Sequence, residues 1–204
     1  MSWFETSVLY QIYPLGLCGA PYENDGQLEH RILKLVDDGW VEHVARLGAT
    51  CVILNPVFQS VSHGYDTTDY LTVDCRLGTN DDLRRVVDAF HAKGIKVLLD
   101  AVFNHVGRQF PAFQDVLRSR GASECSGWFN INWSANNEYG DGFGYETWAG
   151  VPYLVKLNHI NYDLNNYTAH VVRTWERDFD IDEIHTGIEF NFEDRYEALI
   201  EYGI

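Results

Sequence analysis

The segment of residues 94–105 constrains the fold of this chain more than any other. It begins with a glycine that ends a helical pattern, and mostly apolar or β-branched residues follow, as in a strand covered on both faces. Asp100 comes directly after two leucines, where a carboxylate is costly to bury unless it is paired or used. Asn104 and His105 close the segment. A strand ending in these polar side chains is typical of the mouth of a parallel α/β barrel, and a strand that runs into a polar loop is the alternative.

Strand and helix patterns alternate in the first half of the chain. An apolar repeat at helical spacing covers residues 32–47, and a second helix begins at Thr79 with acidic residues in its first turn. Helices are also predicted over residues 165–179 and 193–202. Because crossover helices join parallel strands, this order predicts a parallel sheet. The predicted strands cover residues 8–14, 50–55, 95–100 and 181–184.

The alternation stops in an aromatic-rich segment, which divides the chain into three parts. Residues 1–105 form the first part of the predicted barrel, residues 106–160 form an inserted subdomain after the third strand, and residues 161–204 continue the barrel. Most of the aromatic rings of the segment are expected to form its own small core, although such rings also offer flat apolar faces to a ligand. They are Trp128, Phe129, Trp133, Tyr139, Phe143, Tyr145 and Trp148.

Length and charge limit what the chain can be. Its 204 residues suffice for one domain with a core, but a complete barrel of eight strand–helix units typically needs about 250 residues. The chain carries 15 Lys and Arg residues against 30 Asp and Glu residues. This balance argues against binding to nucleic acid or to an anionic membrane, since both require a basic surface.

The cysteines and the N-terminal residues indicate a cytoplasmic protein. Cys18, Cys51, Cys75 and Cys125 are widely spaced and form no Cys-x-x-Cys pair, so buried thiols are expected rather than disulfides or a zinc site. No signal-peptide pattern follows the first methionine. No apolar run approaches the roughly 20 residues of a membrane span.

Several segments, in this order, resemble the alpha-amylase family of glycoside hydrolases. They are residues 8–14 and 50–58, residues 63–70 with 76–79, residues 100–105, and residues 153–158. The last segment, Tyr153-Leu154-Val155-Lys156-Leu157-Asn158, has the form typical of cyclomaltodextrinases and neopullulanases. The resemblance implies a TIM-type β/α barrel, here partial, with an irregular subdomain inserted after the third strand.

The resemblance also implies a sugar site. Tyr65 and His105 match the residues that bind the sugar at the cleavage point, Asp100 matches a supporting residue, and His63 lies in the loop that forms one wall. The family often holds a calcium ion near an Asn that matches Asn104, but its other ligands cannot be placed here. We therefore predict no cofactor and leave calcium open.

The chain departs from the family where catalysis is expected. The family nucleophile is an Asp within a Gly-x-Arg-x-Asp pattern on the fourth strand, and a straight match places the Arg on His185 and the nucleophile on Gly187. If one strand–helix unit were deleted, Glu183 would match the general acid and Asp182 would be the remaining candidate nucleophile. Neighbouring strand residues point to opposite faces, which weakens this pair. His185 is expected to be a surface histidine at a strand end.

Two functions remain open. The first is an alpha-glucan hydrolase that cleaves α-1,4 bonds of starch, maltooligosaccharides or cyclodextrins through carboxylates. The second is a non-catalytic glucan-binding or interaction protein that has lost the nucleophile; a fragment with no independent role is a third possibility. In each case the open edges of a partial barrel favour pairing with another copy, so a homodimer is expected.

Overall fold

The computed structural model describes residues 6–186. The predicted helix over residues 193–202 and the residue at the expected nucleophile position, Gly187, therefore lie outside the described residues. The strands are β1 (Leu9–Ile12), β2 (Cys51–Leu54), β3 (Phe58–Ser60), β4 (Thr67–Val73), β5 (Lys96–Asp100), β6 (His105–Gly107), β7 (Ile131–Asn132), β8 (Gly144–Tyr145), β9 (Leu154–Lys156) and β10 (Glu183–His185). The α-helices are α1 (Pro14–Leu17), α2 (Lys34–Asp37), α3 (Trp40–Arg46), α4 (Asn80–His91), α5 (Pro111–Ser119) and α6 (Tyr162–Phe179).

Four parallel strands form the main sheet in the order β1-β2-β5-β10. These are the strands that the alternation predicted, each within about two residues of its expected bounds. Val52 pairs with Val97, and His185 pairs with Asp100. Their parallel alignment brings the carboxyl ends of all four strands to one edge, as in part of a TIM-type barrel.

The two faces of this sheet differ in character. Ile12, Leu54, Leu99 and Ile184 lie on the face that packs into the main hydrophobic core. The opposite face carries Asp100 and, by register, the exposed side chains of Glu183 and His185. The helix-covered face thus stabilises the sheet, and the other face is left to carry polar groups.

Helix α4 follows its prediction closely because its start is encoded locally. The Thr79 hydroxyl accepts a hydrogen bond from the backbone N–H of Asp82, and the Asp82 carboxylate accepts one from the backbone N–H of Thr79. This reciprocal capping satisfies two N–H groups that would otherwise lack partners. Leu83, Val87 and Phe90 then lie buried on one side of the helix.

The prediction of one continuous helix over residues 32–47 is wrong. A short 3₁₀ turn at Arg31–Leu33 leads into α2, and α3 begins only after Gly39. Gly39 has a φ of +77°, a left-handed conformation that interrupts the helical hydrogen bonds and that glycine adopts without steric cost. The apolar residues keep their spacing across the break, which explains why the sequence pattern suggested one helix.

An antiparallel pair in the first half of the chain was not predicted. Strands β3 and β4 form a bulged hairpin beyond the end of β2, outside the parallel sheet. Tyr70 of β4 is fully buried, and its hydroxyl donates to the backbone oxygens of Val102 and His105 at 2.7 and 3.2 Å. The hairpin therefore holds the loop that follows β5.

A buried ion pair fixes the base of this hairpin. Asp74 and Arg76 are both fully buried, and the guanidinium Nε and Nη2 donate to the two carboxylate oxygens at 2.8 and 2.7 Å. The remaining guanidinium nitrogen donates to the backbone oxygens of Pro21 and Tyr22 at 2.9 and 2.7 Å. The pair thus ties the loop after α1 to the hairpin.

The segment between β5 and α6 is built from short elements. Strands β6 and β9 pair antiparallel, as do β7 and β8, and 3₁₀ turns connect them. Phe113 of α5 packs edge-on against Phe129 and Tyr145, with ring centroids 5.1 and 5.0 Å apart. Phe129 and Tyr145, two of the rings expected to form a small core, thus pack together around Phe113.

The cysteines are free thiols, of which Cys18 and Cys51 are buried and Cys75 and Cys125 are half-buried. Burial raises the pKa of Cys18 and Cys51 to about 11, so both are protonated at neutral pH. Within residues 6–186, no helix is long and apolar enough to cross a membrane.

The buried ion pair generates a stability prediction. Arg76→Met leaves the Asp74 carboxylate buried without its cation, and we expect a loss of about 3–5 kcal/mol in the free energy of unfolding, measured by urea denaturation. Arg177→Gln removes an exposed pair with Asp178, with 76% and 43% of the side chains exposed, and should lower the free energy of unfolding far less than Arg76→Met does. Equal small losses in both variants would contradict this role.

Candidate functional site

A chain of hydrogen bonds crosses the carboxyl ends of the parallel strands. Gln11 of β1 donates through Nε2 to Asn55 Oδ1 at 2.8 Å, and Asn55 Nδ2 lies 2.5 Å from the Tyr65 hydroxyl. The Tyr65 hydroxyl donates to Asp100 Oδ2 at 3.3 Å. On the other side, His185 Nδ1 lies 3.3 Å from Asp100 Oδ1. Residues from β1, β5 and β10 and from the loops after β2 and β3 thus meet at one edge.

Asp100 is the centre of this arrangement. It is the last residue of β5 and is 6% exposed. Burial raises the pKa of Asp100, while the hydrogen bonds from His185 and Tyr65 act in the opposite direction. Burial and the charge of Asp100 also raise the pKa of Tyr65, so its hydroxyl remains a donor at neutral pH. The structure therefore brings two of the predicted site residues into direct contact.

His105 is the first residue of β6, at the far end of the loop that follows β5. It is 4% exposed, its Nδ1 lies 3.2 Å from the Asn104 amide nitrogen, and its Nε2 is buried without a hydrogen-bond partner. Burial lowers the pKa of His105 to about 4, so the imidazole is neutral at pH 7. A buried polar atom without a partner is rare in folded proteins and marks a place where a ligand group could bond.

His63 supports the position of Tyr65. Its Nδ1 accepts a hydrogen bond from the backbone N–H of Tyr65 at 3.2 Å, and the two rings lie 6.1 Å apart. The neighbouring Asp66 is buried and accepts from Ser62, and its backbone oxygen would lie only 2.5 Å from a Cβ at Gly107. Glycine at this position therefore allows the loop to pack closely on β6.

Asp182 is not part of this arrangement. Its carboxylate accepts hydrogen bonds from Lys96 Nζ at 2.5 Å and from the backbone N–H of Val97 at 2.8 Å, and it lies 2.8 Å from His91 Nε2. Burial acts to raise the pKa of Asp182, but these donors outweigh it and hold the pKa below its usual range. Lys96 begins β5 and Asp100 ends it, so Asp182 lies at the opposite end of the sheet from Asp100.

Glu183 lies on the same face of the sheet as Asp100, but it is further from the carboxyl ends of the strands. It pairs with Leu98, two residues before Asp100, which is a step of about 6–7 Å along a strand. Its side chain is exposed. The opposite directions of Asp182 and Glu183 follow from strand alternation, and the structure does not bring the two carboxylates together at the strand ends.

Sequence reasoning missed three participants of the site. The sequence analysis predicted no role for Gln11 or Asn55. The position of Asn55 directly after a strand is the signal that could have identified it. His185 was expected to be a surface histidine; its side chain is indeed 61% exposed, but it also contacts Asp100. Its contact depends on the pairing of β10 with β5, which local patterns do not reveal.

Asn104, the residue that the resemblance places near a calcium ion, has partners within the chain. Its backbone oxygen accepts from Leu157, and its side-chain amide is next to His105. Among the residues described, no group of three or more His, Cys, Asp or Glu side chains is placed to hold a metal.

The comparisons with known proteins identify the family of this chain. The family "Alpha amylase, catalytic domain" matches residues 11–184. This chain belongs to the alpha-amylase family. It is 35% identical over 202 residues to a cyclomaltodextrinase of a Bacillus species, covering 89% of this chain and 35% of that protein. It is also 35% identical over 195 residues to neopullulanase 2 of Thermoactinomyces vulgaris, covering 85% of this chain and 32% of that protein.

Solved structures of known proteins also match the fold of this chain. A cyclomaltodextrinase structure superposes with a TM-score of 0.76 and 32% identity, covering 92% of this chain and 35% of that one. The cyclic alpha-maltosyl-(1→6)-maltose hydrolase of Arthrobacter globiformis gives a TM-score of 0.74 with 28% identity, covering 89% and 44%. The chain thus spans about a third of the length of the curated relatives that it matches.

The low pKa of His105 predicts how the stability of this chain depends on pH. Its folded pKa of about 4 lies below the ordinary value of 6.5, so the unfolded chain binds more protons between these values. This difference lowers stability as the pH falls through that range and has no effect above it. His105→Phe should remove this component while keeping a ring at the position.

The measurement is the free energy of urea unfolding at about pH 7 and about pH 5. We expect the stability of His105→Phe relative to wild type to increase as the pH is lowered. A difference between the two proteins that does not change with pH would contradict a buried, neutral His105.

Proposed function

We propose that this chain recognises α-glucans through the sugar-binding part of an alpha-amylase-family hydrolase site. The observation that carries the proposal is the contact of Tyr65 with Asp100 at the carboxyl ends of the strands. His63, Tyr65, Asp100 and His105 are the proposed substrate-binding residues. Asp100 would accept hydrogen bonds from sugar hydroxyls, and the unpartnered Nε2 of His105 would bond another sugar oxygen.

The substrate class rests on the relatives. They include proteins named cyclomaltodextrinase, maltogenic alpha-amylase and neopullulanase. We propose the corresponding substrates for this site: starch, maltooligosaccharides or cyclodextrins with α-1,4 bonds. A neutral polyol also suits a chain with 15 basic and 30 acidic residues, because it meets no charge repulsion.

The proposed reaction is hydrolysis of the glycosidic bond by a pair of carboxylates. Glu183 is the proposed general acid, which would protonate the departing glycosidic oxygen. A retaining enzyme also needs a carboxylate about 5–5.5 Å away as nucleophile. Asp182 is the candidate from the sequence, but its carboxylate is held by Lys96, Val97 and His91. Asp182 also lies at the opposite end of the sheet from Asp100 and points away from Glu183, so hydrolysis by this route requires Asp182 to move or another carboxylate to act as nucleophile.

Binding without catalysis is the second candidate function. It is favoured by the engagement of Asp182 at the far end of the sheet and by Gly187 at the expected nucleophile position. In this case the sugar-binding residues act alone. The two functions predict the same binding and differ only in turnover.

Binding tests the role of Asp100. Asp100→Asn keeps the size of the side chain but removes its charge, and hydrogen bonds to charged groups contribute about 1.5–3 kcal/mol. We expect maltohexaose to bind at least about tenfold more weakly, measured by isothermal titration calorimetry. Asp88→Asn, at an exposed position of α4, should bind as wild type does. Equal binding by Asp100→Asn and wild type would exclude the proposed site.

Turnover separates the two functions. If Glu183 is the general acid, wild type releases reducing sugar from soluble starch and Glu183→Gln reduces the rate by about 10²–10⁴-fold. Asp182→Asn should also lose activity if Asp182 is the nucleophile. Sugar binding by a wild-type protein that releases no reducing sugar identifies the non-catalytic function. Turnover that survives Glu183→Gln removes the acid assignment.

We further propose the domain organisation, the oligomeric state and the location of the protein that carries this site. Residues 106–160 would form the inserted subdomain, since the strand–helix alternation pauses between β5 and α6. A homodimer would cover β1 and β10, which are the edges of the four-stranded sheet. A cytoplasmic location would match the intracellular maltogenic amylase of Bacillus subtilis, which is 31% identical.

A further inference from the structure

Gln11 begins the chain of hydrogen bonds that ends at Asp100, but it is not one of the proposed sugar-binding residues. It is an exposed residue of β1, and its side chain bonds to Asn55. Asn55 follows β2, is 8% exposed, and forms the next link, to Tyr65. Because an exposed residue adds little to the hydrophobic core, we expect the contribution of Gln11 to come from this hydrogen bond.

Strand β1 holds Asn55 at two points. The backbone N–H of Asn55 donates to the backbone oxygen of Ile12 at 2.8 Å, which positions the main chain. The side chain of Gln11 donates through Nε2 to Asn55 Oδ1, also at 2.8 Å. The oxygen and nitrogen ends of a primary amide are nearly equal in size, so packing alone does not decide which way the amide faces. The hydrogen bond from Gln11 decides it, because it requires the oxygen to face β1.

The orientation of the Asn55 amide sets the direction of the hydrogen bonds that follow. With Oδ1 facing Gln11, Nδ2 faces Tyr65 and donates to its hydroxyl oxygen at 2.5 Å. The single hydroxyl proton of Tyr65 is then available to Asp100 Oδ2, which lies 3.3 Å away. A reversed amide would accept this proton on Asn55 Oδ1. The hydroxyl oxygen and the carboxylate of Asp100 would then face each other with no proton between them.

Asp100 depends on its donors because it is buried. Burial raises the pKa of Asp100, and the hydrogen bonds from His185 and Tyr65 act in the opposite direction. A third titratable group, Tyr70 of β4, also interacts with Asp100, but burial raises the pKa of Tyr70 and its phenol stays neutral. Loss of the Tyr65 donor would therefore favour the protonated form of Asp100, which accepts fewer hydrogen bonds.

We propose that Gln11 is a positioning residue, which orients the neighbouring amide so that Tyr65 donates its hydroxyl proton to Asp100. This inference rests on the proposed function only in taking the Asp100 carboxylate as a group that binds sugar. It adds that the ionisation of this carboxylate is controlled from β1, which is two strands away from β5 in the sheet.

The test changes the hydrogen-bonding character of residue 11 alone. Gln11→Met keeps the length of the side chain without a donor, whereas Gln11→Lys keeps a donor that the Asn55 oxygen can accept. The titration midpoint of Asp100 is measured in the sugar-free full chain by carbon-13 NMR of the carboxyl groups, with Asp100→Asn to assign the signal. A concentration of about 1 M NaCl, at which the Debye length is about 3 Å, screens the charge of the lysine.

The expected result follows from the loss of one donor. In Gln11→Met the midpoint of Asp100 should rise by about 0.5–1 pH unit, and in Gln11→Lys it should not rise. Maltohexaose binding, measured by isothermal titration calorimetry as the pH is lowered, gives the functional readout. Protonation of Asp100 should weaken binding in each protein, and in Gln11→Met this loss should begin at a pH about 0.5–1 unit higher.

A matched control exists within the same chain. Gln27 is also exposed, and it lies in the loop between α1 and α2, so Gln27→Met makes the same chemical change away from Asn55. This variant should titrate and bind maltohexaose as wild type does. Far-ultraviolet circular dichroism of each variant checks that the fold is retained.

The outcomes separate this inference from the function on which it rests. An unchanged Asp100 midpoint in folded Gln11→Met overturns the positioning role. An equal rise in Gln11→Lys also overturns it, because the retained donor should prevent the rise. If the midpoint rises in Gln11→Met alone and wild type binds no maltohexaose, the positioning of Tyr65 is supported and the sugar site is overturned.

Discussion

The parallel alignment of β1, β2, β5 and β10 is the constraint on which the rest of this structure depends. Because all four strands run in one direction, their carboxyl ends share one edge, and residues far apart in the chain meet there. Gln11 and Asp100 are separated by two crossovers, yet Asn55 and Tyr65 connect them through hydrogen bonds. The burial of Asp100 makes these partners necessary, since an unpaired carboxylate at this depth would be costly.

The hairpin of β3 and β4 provides the second half of the site. It lies outside the sheet, so it needs its own attachment, and the fully buried pair of Asp74 and Arg76 supplies it. From this base the loop carries His63 and Tyr65 toward Asp100, while the Tyr70 hydroxyl holds the loop before His105. Polar networks buried in this way contribute to specificity of position when every group is satisfied.

The arrangement separates the proposed sugar-binding residues from Asp182. The proposed sugar-binding residues Tyr65 and Asp100 meet at the carboxyl ends of the strands, whereas Asp182 stabilises the opposite end through Lys96 and His91. His185, which a straight match aligns with the arginine of the family pattern, contacts the Asp100 carboxylate from β10. The proposed binding of a neutral glucan at this edge does not depend on catalysis.

The sequence by itself determined the four parallel strands of the main sheet, the capped start of α4 at Thr79, and the convergence of Tyr65 with Asp100 that the family resemblance implies. These features depend on local periodicity, on capping chemistry and on a carboxylate that is too costly to bury alone. Only the tertiary structure decided the break at Gly39, the hairpin of β3 and β4, the contact of His185 with Asp100 and the engagement of Asp182. Backbone conformation at one glycine leaves the apolar spacing unchanged. The contacts of His185 and Asp182 join residues about 85 positions apart, and the register between strands, which no local pattern encodes, places them.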